Sequence, residues 1–349
     1  MRILFIKVLF VFLLIVGCKN STTQQALPQE PHILVGQKIE LSDTYSAIDL
    51  EIADSMLIFL CYGDQYKFHV YNKNTLKFLG KFGHEGRGPS EYVMPVILSQ
   101  KMKIRDSSYL VIYDNVPRRL SFVNILKAIN NKSYNPITLN LRNRRIFRLS
   151  LVASAVITPD SAIIGSSTDH NIEGRFFCYN ISQDILTWLS FYPKPKKTPV
   201  QYLKGSLYKT YMALRPDGSN IAAAALFFER IDILDSTGQL EHSVVFKNQD
   251  EQDFSKPNST LPPQGVHEYF TSLSVSQDFI YALKQNIIVG SGQRIDTSYI
   301  VKIPWDETTK SPDIYKMIPK VLKISIDEDN NKVFGIKLFS SCVYVYDGF

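Results

Sequence analysis

The chain has 349 residues, of which 45% are hydrophobic and 21% charged, with a net charge of +6. This composition supports a sizeable core and excludes a disordered or fibrous chain. The charge excess is too mild for a dedicated nucleic-acid binder, and 19 Tyr and 21 Phe against 17 Gly lean toward strands.

In chain order, Arg2 precedes an apolar stretch from Ile3 to Val16, broken only by Lys7. That stretch is shorter than the roughly 20 residues of a membrane-spanning helix and fits the apolar region of an export signal. Its ending, Leu14-Ile15-Val16-Gly17-Cys18, resembles a bacterial lipobox. The resemblance implies cleavage before Cys18 and acylation of that residue; several acyl chains at about 0.8 kcal/mol per buried CH₂ give stable anchoring. Residues 1–17 are thus expected to be a signal peptide, and the loss of Arg2 and Lys7 takes the net charge from +6 to +4. Residues 18–30 are expected to be the lipidated Cys and a polar, flexible tether. Lys19 follows Cys18, where an Asp would suggest the inner membrane in proteins of the enteric type; an outer-membrane lipoprotein in the cell envelope is expected.

Cys61, Cys178 and Cys342 remain. An odd number cannot form a full intrachain disulfide set, and there is no CxxC or Cys/His cluster to suggest zinc. They read as small buried hydrophobes.

From residue 31 onward a repeat emerges. Apolar, β-prone runs flank an Asp at positions 54, 106, 160, 217, 278 and 329, spaced by 52, 54, 57, 61 and 51 residues. Asp with Ser, Gly or Asn neighbours suits a tight turn. A second hairpin follows each first one, as in FHVYNKNTLKFLGKF and RIDILDSTGQLEHSVVF. The second repeat is degenerate, with room for a short helix at Phe122–Ile129. Four strands per repeat at this period predict an all-β, six-bladed β-propeller over 31–349. The last repeat ends after its third strand, CVYVYDGF. The alternating segment His32–Leu41 has no partner in the first repeat, so it is expected to complete the last blade and close the ring. Small residues in the first strands, such as Leu151–Ala155 and Thr271–Ser274, suit crowding around the axis.

Between repeats one and two runs Gly80-Lys81-Phe82-Gly83-His84-Glu85-Gly86-Arg87-Gly88-Pro89-Ser90-Glu91-Tyr92. Its GxxGxGPxE-aromatic pattern resembles the signature of the six-bladed, TolB-like propeller lipoproteins of Bacteroidetes, with NHL-type propellers as more distant cousins. The resemblance implies the fold and the lipoprotein address and carries over no catalytic residue. A strand, not a helix, is expected after this loop, which argues against a phosphate cradle. Two roles fit Arg87: bonding loop carbonyls while pairing with Glu85 or Glu91, or rimming a ligand pocket with His84, Glu85 and Glu91.

Loops of a propeller alternate between two faces. Loops joining strands one to two and three to four would carry Asp54, Asp106, Asp160, Asp184, Asp217, Asp235, Asp278, Asp306 and Asp329. The others would carry Arg87, Arg118, Arg119, Arg142, Arg144, Arg145, Arg175 and Arg230, with Tyr62, Tyr66, Tyr208 and Phe228 nearby for stacking. Guanidinium forks match carboxylate, sulfate or phosphate oxygens. The Arg-bearing face is therefore expected to bind an anionic glycan, peptide or protein partner. The competing reading is that these arginines solubilise the rim and pair with Asp64, Glu173 and Glu229.

The alternative is a metal-dependent hydrolase or lyase with an axial site. The innermost strands offer only Asp49 and Glu51 for it, and no HxH or HxxxH pair exists among the six histidines. His84, His170 and His267 share one set of loops, so a composite metal site is the route to it. No nucleophile signature is present. A binding module without cofactor, metal or nucleic acid is the expected class.

Overall fold

The apolar runs on either side of the recurring Asp pair as antiparallel hairpins, and a computed structural model arranges them radially as six sheets. It describes residues 21–25, 30–100, 102–104, 107–131, 133–149, 151–169, 171–190, 192–193, 204–246, 265–292, 296–306 and 310–349. Three short strands come first: β1 (Ser21–Gln25), β2 (His32–Val35) and β3 (Gln37–Glu40). Blade one is β4 (Ala47–Ala53), β5 (Met56–Cys61), β6 (Tyr66–Asn72) and β7 (Phe78–His84). Blade two has a split inner strand, β8 (Pro95–Ile97) and β9 (Met102–Ile104), then β10 (Ser107–Asp114), β11 (Arg119–Asn124), helix α1 (Ile125–Asn130) and β12 (Ile137–Asn140). Blade three is β13 (Val152–Ile157), β14 (Ala162–Ser167), β15 (Phe176–Asn180) and β16 (Ile185–Leu189). After the short helix α2 (Lys204–Leu207), blade four is β17 (Thr210–Leu214), β18 (Asn220–Ala225), β19 (Arg230–Asp235) and β20 (Leu240–Phe246). Blade five is β21 (His267–Val275), β22 (Phe279–Ile288), β23 (Ser298–Pro304) and β24 (Asp313–Ile318). Blade six is β25 (Lys323–Asp327), β26 (Lys332–Ile336) and β27 (Cys342–Asp347), completed by β3.

The Asp turns behave as short polar side chains should. Asp217 Oδ1 accepts from Ser219 N at 2.9 Å, and Asp235 Oδ1 accepts from Thr237 N at 2.8 Å. Asp54 and Asp184 take positive φ, 52° and 55°, a region that Asp tolerates better than most residues. Asp106 lies outside the described residues. The helix in blade two starts later than expected: Phe122 remains in β11, and the Asn124 side chain caps α1 by accepting from Lys127 N at 3.0 Å.

The closure follows the expectation with one correction. His32–Leu41 is not a single strand. β3 pairs antiparallel with β27, Lys38 opposite Tyr344, and supplies the fourth strand of blade six. β2 instead pairs in parallel with β24, Val35 opposite Ile318, as a fifth strand on blade five. Gly36 carries the chain from one blade to the next. A Cβ there would lie 2.5 Å from the Tyr346 ring, which explains why the crossing residue has no side chain. A second difference concerns the stretch expected to be a tether. Within it, Ser21–Gln25 runs as β1 in parallel along β20, Ser21 opposite His242, on the open edge of blade four. An unpaired edge strand offers free backbone donors and acceptors, which any extended segment can fill.

The core consists of apolar layers between neighbouring blades. Phe59, Tyr71 and Phe334 pack between blades six and one, and Phe68, Tyr92 and Ile112 between one and two. Small residues in the inner strands have a second role besides fitting the crowded axis. Ser154 Oγ accepts from Met212 N, Ser272 Oγ from Ile324 N and Ser325 Oγ from Ile52 N, at 3.0–3.2 Å. Each hydroxyl satisfies a backbone donor of the next blade, so the inner ring is stitched by serine. Cys61 and Cys342 are buried and Cys178 half-buried, all as free thiols; burial pushes the Cys61 thiol up to about 12, with Asp64 adding to it.

Candidate functional site

The Gly-rich loop after β7 folds on itself because its glycines leave room for one carboxylate. Gly88 N donates to Glu91 Oε2 at 2.7 Å, and a Cβ on Gly86 would lie 2.2 Å from that same oxygen. Glu91 is therefore a brace of the loop. Gly83, at φ 72°, lets the strand turn against Phe68 and Tyr92, whose rings a Cβ would meet at 2.7 and 2.9 Å. Glu85 pairs with Lys67 at 2.9 Å. Carbonyl bonding falls to a different arginine from the one expected. Arg119, at the start of β11, donates from Nη1 to Gly88 O at 2.6 Å and from Nη2 to Glu91 O, and its guanidinium lies 5.3 Å from the Tyr92 ring centroid. Arg87 is exposed and makes no ion pair among the described residues.

This arrangement forms a cavity of about 340 Å³ lined by Arg87, Val116, Pro117, Arg119, Asn140, Arg142 and Phe147. Three guanidinium groups line it and no carboxylate does. Arg119 is 8% exposed, and its Nε finds no partner among the described residues. Arg118 lies 5.7 Å over the Phe147 ring, so a fourth guanidinium flanks the cavity. These residues come from the loops and adjoining strand ends on the face expected to carry arginine: after β7, at the turn from β10 into β11, and at and after the end of β12.

Other expected site residues lie apart from this cavity. Arg144 and Arg145 are exposed on the loop after β12, and Arg145 N donates to Asp184 Oδ1 at 2.8 Å. That bond, joined by Tyr179 Oη and by the charges of both arginines, holds the Asp184 carboxyl below its usual range. The sorting of charges is thus less clean than the topology alone predicts. The turn between β15 and β16, which carries Asp184, meets the loop after β12, so an Asp of one set contacts an Arg loop of the other. The acidic end is also partly neutralised: Arg215 grips Asp306 through both oxygens at 3.0 and 3.1 Å, and Lys73 pairs with Asp327 at 2.7 Å.

Arg175 and Arg230 do not present their charge to a ligand. Arg175 is fully buried against Asp232, and Arg230 chelates the same carboxylate. Two of the three acids expected as local partners of the arginines face other groups, and Glu173 is exposed. Glu229 pairs with Lys284, and Asp64 faces His69 at 3.3 Å. Of the expected stacking residues, Tyr208 is buried against Phe228, whereas Tyr62 is 65% exposed and meets Phe339 edge-on at 6.0 Å. His84 turns away from Arg87 and lines a separate cleft with Tyr66.

At the axis a cavity of about 40 Å³ holds Asp49 and Glu51, as expected, but also Lys323 and Tyr211. Lys323 Nζ lies 3.8 Å from Asp49 and 4.4 Å from the Tyr211 ring centroid. Burial opposes its charge, yet Asp49 and Tyr211 outweigh burial and raise its pKa. The axial carboxylate is thus countered by a built-in cation. Among the described residues no three His, Cys, Asp or Glu side chains group as a metal site; His170 lies outside them.

The fold defines a six-bladed β-propeller. No protein-family model matches the chain, and no curated protein matches it in sequence. Its likeness is to solved structures. A candidate exported protein from Bacteroides fragilis superposes with a TM-score of 0.56 at 12% identity, covering 93% of this chain and 99% of that one. A member of the DUF4221 family from Bacteroides vulgatus gives 0.55 at 10% identity, covering 90% and 97%. At these identities the likeness concerns the fold.

Proposed function

We propose that this propeller is a recognition platform that binds an anionic glycan, peptide or protein surface through its Arg-bearing loops, tethered to the outer membrane by acylated Cys18. The observation that carries the binding reading is the carboxylate-free cavity under Arg87, Arg119 and Arg142. Guanidinium groups without internal counter-charges favour an external anion, and Phe147 offers an apolar surface beside them. Arg119 is held in place by two loop carbonyls, so its orientation is set before any ligand arrives. Arg87 and Arg142, exposed on either side, complete the grip.

Calorimetry with dextran sulfate against neutral dextran tests this. Only the sulfated polymer should bind, and Arg87→Ala with Arg142→Ala should weaken it at least about tenfold, since a hydrogen bond to a charged group contributes about 1.5–3 kcal/mol. Equal binding of the two polymers, or an unaffected double variant, would refute the reading. The anchor rests on the residues preceding Cys18 and accords with the exported character ascribed to one similar structure. Cys18→Ala should move the protein from the membrane fraction to the soluble fraction; a wild type that is already soluble would remove the anchor.

A further inference from the structure

The first strand has a direction as well as a place. β1 runs parallel to β20, from Ser21 opposite His242 to Gln25 opposite Phe246. β20 is the outer strand of blade four; it begins after the turn at Asp235–Gln239 and ends at Phe246. Its start lies at the face of the Asp turns and its end at the face of the arginine loops. Because β1 is parallel to it, the chain preceding Ser21 leaves toward the Asp turns.

Chain length limits how far Cys18 can stand from this exit. Only Lys19 and Asn20 separate it from Ser21, and three residue steps span at most about 11 Å. The arginine-face end of β20 lies the other way, at Phe246, about 13 Å beyond His242 at the rise of a strand. The arginine cavity is farther still. It is built on blades one and two, and in a ring of six blade one stands opposite blade four.

Resting on the proposed anchor at Cys18, we infer that the propeller meets the membrane with the Asp-turn end of blade four and holds its arginine loops away from lipid. β1 is the element that sets this orientation. The turn at Asp235–Gln239 is the part of blade four nearest the bilayer. The cavity under Arg87, Arg119 and Arg142 opens on the far side, where a large anionic glycan or protein can reach it. Charge alone would favour the reverse, since anionic headgroups attract arginine loops and repel Asp turns. The short, paired tether prevails because it keeps the arginine loops out of reach of the bilayer.

Energy transfer to a fluorescent lipid tests the orientation. The mature protein, purified in detergent, is reconstituted into vesicles of phosphatidylethanolamine and phosphatidylglycerol that carry an acceptor lipid. Cys178→Ala removes the half-buried thiol and leaves Cys61 and Cys342 buried. A donor dye is then placed through Gln239→Cys or Asn143→Cys, both exposed, the first in the β19–β20 turn and the second on the loop after β12. Transfer from position 239 should exceed that from position 143 at least about twofold, because the faces are separated by the height of a seven-residue strand, about 23 Å. Thr22→Pro with Thr23→Pro removes a ladder donor whichever of the two residues bonds β20. The free tether then runs from Cys18 to His32, with a reach of roughly 50 Å. In that variant the protein should stay on the vesicles and the difference between the two donors should vanish or reverse. Equal transfer from both positions in the wild type, or stronger transfer from position 143, would overturn the inference and leave the anchor standing. A difference that survives in the double variant would also overturn it, since β1 would not be its cause. A wild type that does not stay with the vesicles would refute the anchor, and the inference with it.

Discussion

Asp232→Ala should cost about 3–5 kcal/mol of stability, as expected when a buried charge loses its partner. Asp232 and Arg175 are both fully buried, 2.5 Å apart, and Arg230 shares the carboxylate through Nε at 2.9 and 3.1 Å. Ser243 Oγ donates to it at 2.6 Å. Arg175 is enclosed by the rings of Phe176 and Tyr192, at 4.7 and 4.8 Å. Removing the carboxylate would leave Arg175 charged, buried and without a counter-ion between blades three and four, with only neutral acceptors such as Tyr192 O at 3.1 Å. Urea denaturation would read the loss, and an unchanged midpoint would contradict it.

The same group sets a pH dependence. Burial alone would raise the Asp232 pKa, but Arg175 and Arg230 overcome it and lower the value. A depressed folded pKa stabilises the fold at pH above the unfolded value of about 3.9. This stabilisation is lost as pH falls from there through the lowered folded pKa. The gap in stability between wild type and Asp232→Ala should therefore be full at neutral pH and shrink only in that acid range.

The second large effect concerns the closure. Gly36→Val should displace the crossing between β2 and β3, because even a Cβ meets the Tyr346 ring at 2.5 Å and Tyr346 is fully buried. Gly36 N also donates to Ile318 O at 2.7 Å, so the residue cannot shift outward without losing that bond. Leu34 in β2 and Leu41 just after β3 are buried, each contributing about 1.5–3 kcal/mol. Detachment of both strands would also expose the edges of β24 and β27. The thermal midpoint should fall by about 5–10 °C, from the usual 2–4 °C per kcal/mol or somewhat less for a chain of this size. Proteolysis should begin within residues 30–41. A midpoint within a degree of wild type would show that the ring does not depend on this crossing.

The repeat was legible because turn chemistry is local: an Asp between two apolar runs announces a hairpin wherever it occurs. The closure was legible because the last repeat lacks a strand. The division of His32–Leu41 was not, since an extended segment that changes partner at Gly36 keeps its alternating pattern. The fate of the arginines was hidden for a similar reason. Arg175 stands just before β15 and Arg230 opens β19, at the ends of loops that look exposed in the sequence. Only the packing of blade three on blade four brings Arg175 to Asp232, 57 residues away. Arg119 and Arg87 exchanged their expected roles because the register of β11 aims Arg119 at the Gly88 carbonyl.

As proposed, the cavity under Arg87, Arg119 and Arg142 takes an external anion. Crystals soaked in selenate and measured at the selenium edge test it most directly. A single anomalous peak within hydrogen-bond reach of these three guanidinium groups is predicted, disappearing in the Arg87→Ala, Arg142→Ala variant. No peak there in the wild type, or one that persists in the double variant, would contradict the account.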